Sequence, residues 1–266
     1  MRIGELLDLD SEALEQVSRR QVETRRAFGE TAVELGVATD AQVRRAVEAQ
    51  QAFPVLAAEN DSVDPLVVAA FFPDDPLALS ARNLRAIITA SLLPNGEPVR
   101  SIGFIGLDAA TELPILVANL AVACAQAGYR ALLIDAELSS PQHHRLFRLP
   151  KRIGLTMLLS NGASANVIQS TAIDGLSIIT SGASVPNATE LLDRNRLANS
   201  VEAYCDDYNI ILVDAGSGST ALAASFGLDS VVVVLRRNVT SADDLRAVID
   251  QVEANGQSIL GTVLVD

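Results

Sequence analysis

Beyond residue 100 the chain alternates between short unbroken runs of aliphatic residues and longer stretches whose apolar positions recur every three or four residues. The runs predict strands at Ser101–Gly106, Ala131–Asp135, Leu176–Thr180, Ile210–Asp214, Ser230–Leu235 and Ser258–Val265. The stretches between them predict helices, most clearly Pro114–Ala127, Ala188–Asp206 and Ser241–Ala254. Strands joined by crossover helices predict an α/β fold, a doubly wound and mostly parallel sheet.

The N-terminal part carries a different pattern. Ile3-Gly4-Glu5 recurs as Phe28-Gly29-Glu30, and each copy runs into an amphipathic segment ending in Gln21 or Gln50. In the second copy Gly36 suits a helix C-terminus, and Thr39 with Gln42 reads as a capping box ahead of Val43, Ala46 and Val47. Residues 1–52 are therefore expected to form a small all-helical domain with a degenerate repeat. Pro54, Pro65, Pro73 and Pro76, with Asp61, Asp64, Asp74 and Asp75, mark 53–76 as a linker interrupted by an apolar segment at Leu66–Phe72. A helix is expected at Leu77–Leu93, stopped by Pro94-Asn95-Gly96, and 77–266 form the α/β domain.

Composition sharpens this picture. Apolar residues make up 49% of the chain and aromatics 4%, so the core is aliphatic. A net charge of −13 argues against a nucleic-acid partner and against direct adsorption to an anionic membrane. The longest apolar runs, such as Val231–Leu235, are far short of a membrane span. Charges at Arg2 and Glu5 argue against a signal peptide, so a cytoplasmic location is expected. Cys124 and Cys205 read as packed thiols, and Arg19, Arg20, Arg25 and Arg26 as a solvated helix face.

In such a sheet the ligand lies beyond the carboxyl ends of the strands, and the first strand–loop–helix unit, Phe104 to Asn119, is the place to look. A phosphate-binding loop there needs G-x-x-x-x-G-K-[ST], with glycines to wrap backbone N–H groups around phosphate, a Lys for its charge and a hydroxyl for Mg²⁺. Just downstream, Asn119-Leu-Ala-Val-Ala-Cys-Ala-Gln-Ala-Gly128, Ala131-Leu-Leu-Ile-Asp-Ala-Glu-Leu138, Pro141 to Phe147, Ile173-Asp-Gly-Leu176 and Tyr208-Asn-Ile-Ile-Leu-Val-Asp214 carry a family pattern. From about Leu77 to Val265 the chain resembles the bacterial tyrosine autokinases, deviant P-loop proteins (MinD/ParA-like) that pair with membrane polysaccharide co-polymerases in capsule and exopolysaccharide assembly.

The resemblance implies a degenerate Walker A, with Glu112, Leu113 and Pro114 where the family has Gly, Lys and Ser/Thr. Walker A′ is represented by Asp135 and Glu137, and Walker B by Asp214 followed by Ala215-Gly216-Ser217. With the cation and hydroxyl gone, no cofactor is expected and Mg-ATP binding is disfavoured. Asp135 and Asp214 are then expected to serve loop hydrogen bonding rather than a metal. The family's tyrosine-rich tail is not represented, since Tyr129, Tyr204 and Tyr208 all fall before the last strand. Arg82 and Arg85 match two arginines that the family uses for ring assembly, so they mark an oligomer or partner surface, their alternative being two solvated arginines. Gly216 to Thr220 reads as a short turn, and the adjacent His143 and His144 as surface or helix residues rather than metal ligands.

The N-terminal repeat resembles the helical domain at the front of type II secretion and pilus assembly ATPases, some of which bind cyclic di-GMP. Ala27 stands at the position of that motif's Arg, which favours a protein-docking module. The implied function is a catalytically inactive, tyrosine-autokinase-like regulator of exopolysaccharide or capsule polymerisation and export. Its partner would be a membrane co-polymerase or a kinase paralogue, with self-association as a further expectation and membrane contact only through the partner. The alternatives are an active or residual ATP-binding tyrosine kinase and a cyclic di-GMP receptor acting through residues 1–52.

Overall fold

The aliphatic runs assemble into one seven-stranded sheet in the computed structural model, which describes residues 7, 9–24, 26–39, 42–43, 55–57, 59–108, 112–151, 153–161, 166–185, 188–192 and 196–266. Its strands are β1 (Ser101–Gly106), β2 (Ala131–Asp135), β3 (Gln169–Ser170), β4 (Leu176–Ile179), β5 (Ile210–Ser217), β6 (Ser230–Arg236) and β7 (Ile259–Val265). The order across the sheet is β3-β4-β2-β5-β1-β6-β7. Every neighbouring pair is parallel except β3 and β4. The expected α/β class and parallel sheet are thus borne out. The short antiparallel edge β3 was not legible, because two residues, Gln and Ser, carry no apolar run.

Residues of β1 and β2 are buried throughout, as expected of strands covered on both faces. Alternation along each strand divides them between two cores. Ile102, Phe104, Leu133 and Leu212 pack on one side of the sheet; Ile105, Leu132, Ile134 and Val213 pack on the other. The helices of this unit are α3 (Pro76–Thr89), α4 (Leu113–Gln126), α5 (His143–Leu146), α6 (Leu155–Asn161), α7 (Ala188–Leu192), α8 (Arg196–Glu202), α9 (Ser219–Ser225) and α10 (Ala242–Ala254). The single helix expected over 188–206 is seen as α7 and α8, with 193–195 outside the described residues.

The chain divides into two compact units, Met1–Pro54 and Val55–Asp266. In the first, α1 (Ser11–Thr24) and α2 (Phe28–Glu34) enclose Leu7, Val17, Ala32 and Ala38. Gly36 follows α2 at φ +70°, and its N–H donates to Val33 O at 2.9 Å. The capping box forms as read: Thr39 N–H donates to Gln42 Oε1 at 2.9 Å, and Gln42 N–H to Thr39 Oγ1 at 3.3 Å. A Cβ on Gly29 would sit 2.5 Å from Val43 Cγ1, so the repeat's glycine permits a close contact with the segment after the box. The helix expected beyond Val43 falls at 44–50, outside the described residues. Of the N-terminal arginines, Arg19 pairs with Glu15 at 3.3 Å, and Arg20 and Arg26 share Glu34 at 3.0 and 3.1 Å. Those two guanidinium groups hold the Glu34 carboxyl below its ordinary range. Arg25 lies outside the described residues.

The linker expected at 53–76 is corrected from Val55 onward. Val63, Val67, Ala69 and Ala70 are buried in the core beside α4. Asn119, fully buried on α4, holds this segment in place. Its Oδ1 accepts from Ala69 N–H at 2.8 Å, and its Nδ2 donates to Leu66 O at 3.1 Å and Ile115 O at 2.8 Å. Two helical turns further on, Gln126 Nε2 donates to Ala69 O at 2.7 Å. Among the residues that suggested a linker, Asp64 orders a turn, and Asp75 with Pro76 begins a helix. Asp64 Oδ1 accepts from Leu66 N–H at 3.0 Å, and Asp75 caps α3 by accepting from Leu77 N–H at 2.8 Å.

Replacing Asn119 by alanine leaves the buried Ala69 N–H without its acceptor, at a cost of about 2–3 kcal/mol. Urea unfolding is expected to show a lowered midpoint with an unchanged slope. An unchanged midpoint would show that the segment is held by its apolar contacts alone.

Candidate functional site

Parallel pairing of β2 with β5 sets Asp135 directly opposite Asp214 at the carboxyl end of the sheet. Both carboxylates are fully buried. The chain leaving β2 stays against β5, with Ala136 N–H donating to Asp214 O at 2.9 Å. Glu137 follows, its Oε1 accepting from the N–H groups of Ser139 at 2.8 Å and Ser140 at 3.1 Å. These bonds order the turn that leads into the single helical turn α5.

The first residue of α5 is His143, and it contacts both acids. Its backbone N–H donates to Asp135 Oδ2 at 3.2 Å, and its ring Nε2 lies 2.8 Å from Asp214 Oδ2. The histidine is itself 0% exposed. The reading of His143 as a surface or helix residue is corrected here: it does begin a helix, but it is a core residue tied to two carboxylates. His144 is the half-buried neighbour. The signal was spatial rather than sequential, since Asp214 is 71 residues away from its partner.

Burial works against the charged form of His143, but the Asp214 hydrogen bond and the charges of Asp135 and Asp214 outweigh it and raise its pKa. For Asp135 burial dominates and the Asp214 charge adds to it. Against the opposing pull of His143, they push its carboxyl up to about 7. Asp135 Oδ1 and His143 Nδ1 are buried and find no hydrogen-bond partner among the described residues.

On the open side of this cluster is a cavity of about 100 Å³. It is smaller than the ~300–1,000 Å³ of typical small-molecule pockets, so a larger ligand would lie mostly outside it. Asp108, Glu137 and Asp214 contribute carboxylates to its wall; Leu113 and Pro114, in the first turn of α4, contribute apolar surface. Gly216, beyond Asp214 on β5, lies against Glu137. A Cβ there would come 2.1 Å from Glu137 Oε2, and φ is +75°, so only glycine allows this approach. Its N–H donates to Asp214 Oδ1 at 3.0 Å. The turn expected over 216–220 resolves into the end of β5, Gly218 at φ +76° and the start of α9.

Of the sequence-derived site residues, Leu113, Pro114, Glu137 and Asp214 therefore meet around one cavity, with Asp135 behind them through His143. Glu112 is exposed at the N-cap position of α4 and makes no side-chain capping bond; residues 109–111 lie outside the described residues. Arg82 and Arg85, half-buried on α3, turn onto their own chain, donating to Pro73 O and to Ala123 O respectively.

Hard divalent cations take oxygen donors, and the carboxylates of Asp214, Glu137 and Asp135 fit Mg²⁺ in kind. The buried, unpaired Asp135 Oδ1 is one such donor. Among the described residues, however, no group of three or more His, Cys, Asp or Glu side chains is arranged to hold a metal ion. These carboxylates instead engage the His143 ring and backbone N–H groups. No helix among the described residues is long and apolar enough to cross a membrane.

No family model matches the chain. Over 214 residues it is 27% identical to CapB of Staphylococcus aureus, described as a tyrosine-protein kinase, covering 79% of this chain and 92% of CapB. Over 198 residues it is 28% identical to the tyrosine-protein kinase Etk of Escherichia coli, covering 72% of this chain but 27% of Etk. Nearly all of CapB is thus matched, but only about a quarter of Etk. Among solved structures, the chimerical protein CapA2B2 is 30% identical with a TM-score of 0.64, over 83% of this chain and 97% of that one. MinD from Pyrococcus horikoshii, solved in complex with Mg-ADP, shares the fold at a TM-score of 0.56 and 22% identity, over 62% of this chain and 70% of that one. The MinD complex corrects the expectation, drawn from residues 112–114, that no cofactor is used. The same fold holds Mg-ADP there, so the residue changes at the start of α4 do not support an expectation of none.

The raised Asp135 pKa gives a signed pH dependence. Between about 4 and about 7 the native state holds a proton that the unfolded chain has released. The stability this contributes is therefore full below the unfolded value of 3.8 and is lost as pH rises through about 7. Asp135→Asn cannot ionise and escapes this loss. In chelated buffer its stability relative to the parent is expected to rise by on the order of 2–4 kcal/mol from pH 4 to pH 7.5. A pH-independent difference in denaturant unfolding would place the Asp135 pKa near its ordinary value.

Proposed function

Because the chain belongs to the bacterial tyrosine-protein kinase family, we propose that it is a member without phosphoryl-transfer activity, which regulates exopolysaccharide or capsule polymerisation and export through a membrane co-polymerase or a kinase partner. The observation that carries this reading is the wall of the cavity at the start of α4. Leu113 and Pro114 stand there, one aliphatic and the other without even a backbone N–H, where transfer needs a cation on the phosphates and a hydroxyl on Mg²⁺. Mg-nucleotide, when bound, supplies a phosphoryl group. Asp214, Glu137 and Asp135 would supply oxygen donors to its metal, and Leu113 and Pro114 would give the transferring group no charge stabilisation. The reading concerns transfer and is compatible with nucleotide occupying the site.

The remaining functional expectations follow from the same premise. The partner is read as the cytoplasmic face of a membrane co-polymerase or an active kinase paralogue, and recruitment to the membrane as indirect. Domain limits of 1–52 and 77–266, with the intervening segment now part of the α/β unit from Val55, divide a candidate docking module from the kinase-like body. Arg82 and Arg85 act in this reading by holding the Pro73 turn and α4 against α3, which shapes the partner surface from behind.

The purified chain incubated with radiolabelled Mg-ATP, alone and with a tyrosine-containing acceptor peptide, is expected to give no phosphotyrosine above that of Asp214→Ala. Introducing Lys at position 113 and Ser at 114 together is expected to raise incorporation by tenfold or more if transfer was lost at these positions. Phosphotyrosine formed by the parent chain and abolished by Asp214→Ala would overturn the proposal. Nucleotide affinity, measured separately by calorimetry, does not decide between these outcomes.

A further inference from the structure

Every oxygen through which the central carboxylate of the site could receive a cation is already engaged. Asp214 Oδ1 accepts from Gly216 N–H at 3.0 Å, and Asp214 Oδ2 meets His143 Nε2 at 2.8 Å. The two engagements differ in kind. The first is local to the strand and fixed by the backbone at Gly216. The second is made by a side chain on a single helical turn, after a connection whose N–H groups at Ser139 and Ser140 are held by Glu137. Of His143, Asp135 and Asp214, only Asp214 lines the cavity. A cation arriving from solvent therefore meets Asp214 with the imidazole behind it.

We propose that His143 competes with a divalent cation for Asp214, so that the cation is taken up only as the imidazole gives up its hydrogen bond. Asp135 and Asp214 sit opposite each other on adjacent strands, both at zero exposure, and such a pair needs a positive group or a bound proton close by. His143 supplies a donor to each of them from the protein's own chain. The site is thus closed by a residue rather than lacking oxygen donors, which accounts for a wall carrying Asp108, Glu137 and Asp214 that presents no open metal-ligand set among the described residues. Gln142, immediately before the histidine, lines the cavity and is exposed, so the approach to this latch runs along the cavity wall. The inference concerns the cation alone and stands whether or not the protein transfers phosphate.

The test is a Mn²⁺ titration of the full chain, without nucleotide, followed by electron paramagnetic resonance at constant pH. His143→Ala and His143→Asn are expected to bind Mn²⁺ at least tenfold more tightly than the parent, and adding Asp214→Asn to either is expected to abolish the gain. Equal affinities in parent and variants, or a gain that survives Asp214→Asn, would overturn the proposal. Circular dichroism confirms that each variant is folded. Should the buried substitutions unfold the protein, the parent itself reports. Its His143 ring ¹⁵N shifts are expected to move away from the hydrogen-bonded position as Mg²⁺ saturates the site, and shifts that stay fixed at saturation refute the competition. Phosphotyrosine formation plays no part in these readouts, so failure here leaves the proposed loss of transfer untouched, and the reverse.

Discussion

Two carboxylates brought face to face inside a protein repel each other and lose their hydration, and the fold must supply a positive group, a proton or both. That is the situation created wherever β2 pairs with β5, because the register of the two strands puts Asp135 opposite Asp214. The rest of the site is arranged around this constraint. Ala136 keeps the chain against β5, Glu137 orders the turn that follows, and α5 begins at His143, which reaches both acids. Gly216 completes the arrangement by leaving room for Glu137 while fixing the second oxygen of Asp214.

The scaffold that holds these strands is aliphatic and conventional in its physics. Nearly every residue of α4 is buried, its small side chains lying close to the sheet, and two buried amides on it bind the backbone of the segment before α3. The site therefore rests on the most enclosed helix of the unit. Its apolar first turn, Leu113-Pro114, continues that packing right up to the cavity, with Leu113 2% exposed. A helix start of this kind extends the core to the edge of the cavity.

Much of the fold could be read from periodicity. Six strands were placed within a residue or two of their observed starts, since an unbroken aliphatic run of strand length between helical stretches has few other readings. Family resemblance then located Asp135, Glu137 and Asp214, and the structure brought them together. His143 was missed because its partners come from β2 and β5 rather than from neighbouring positions in the chain; a histidine among polar neighbours carries no mark of burial. The misjudged linker had the opposite cause. Proline and aspartate are ambiguous between disorder and capping, and the apolar Val63, Val67, Ala69 and Ala70 that settle the matter are spaced too irregularly to announce an element. The self-directed bonds of Arg82 and Arg85 were equally out of reach, as a helix wheel shows which face an arginine occupies but not which carbonyl it finds.

The clasp between Asn119 and Ala69 decides where this protein can be divided. The boundary that looks natural in the sequence, just before α3, would strip away a strap of chain and bare an apolar face of α4 to water; the boundary at Val55 leaves that face covered. During synthesis the strap leaves the ribosome well before the helix that it must cover. Until α4 follows, Val67, Ala69 and Ala70 have only α3 to lie against, so the packing of this strap is completed only once α4 has been made.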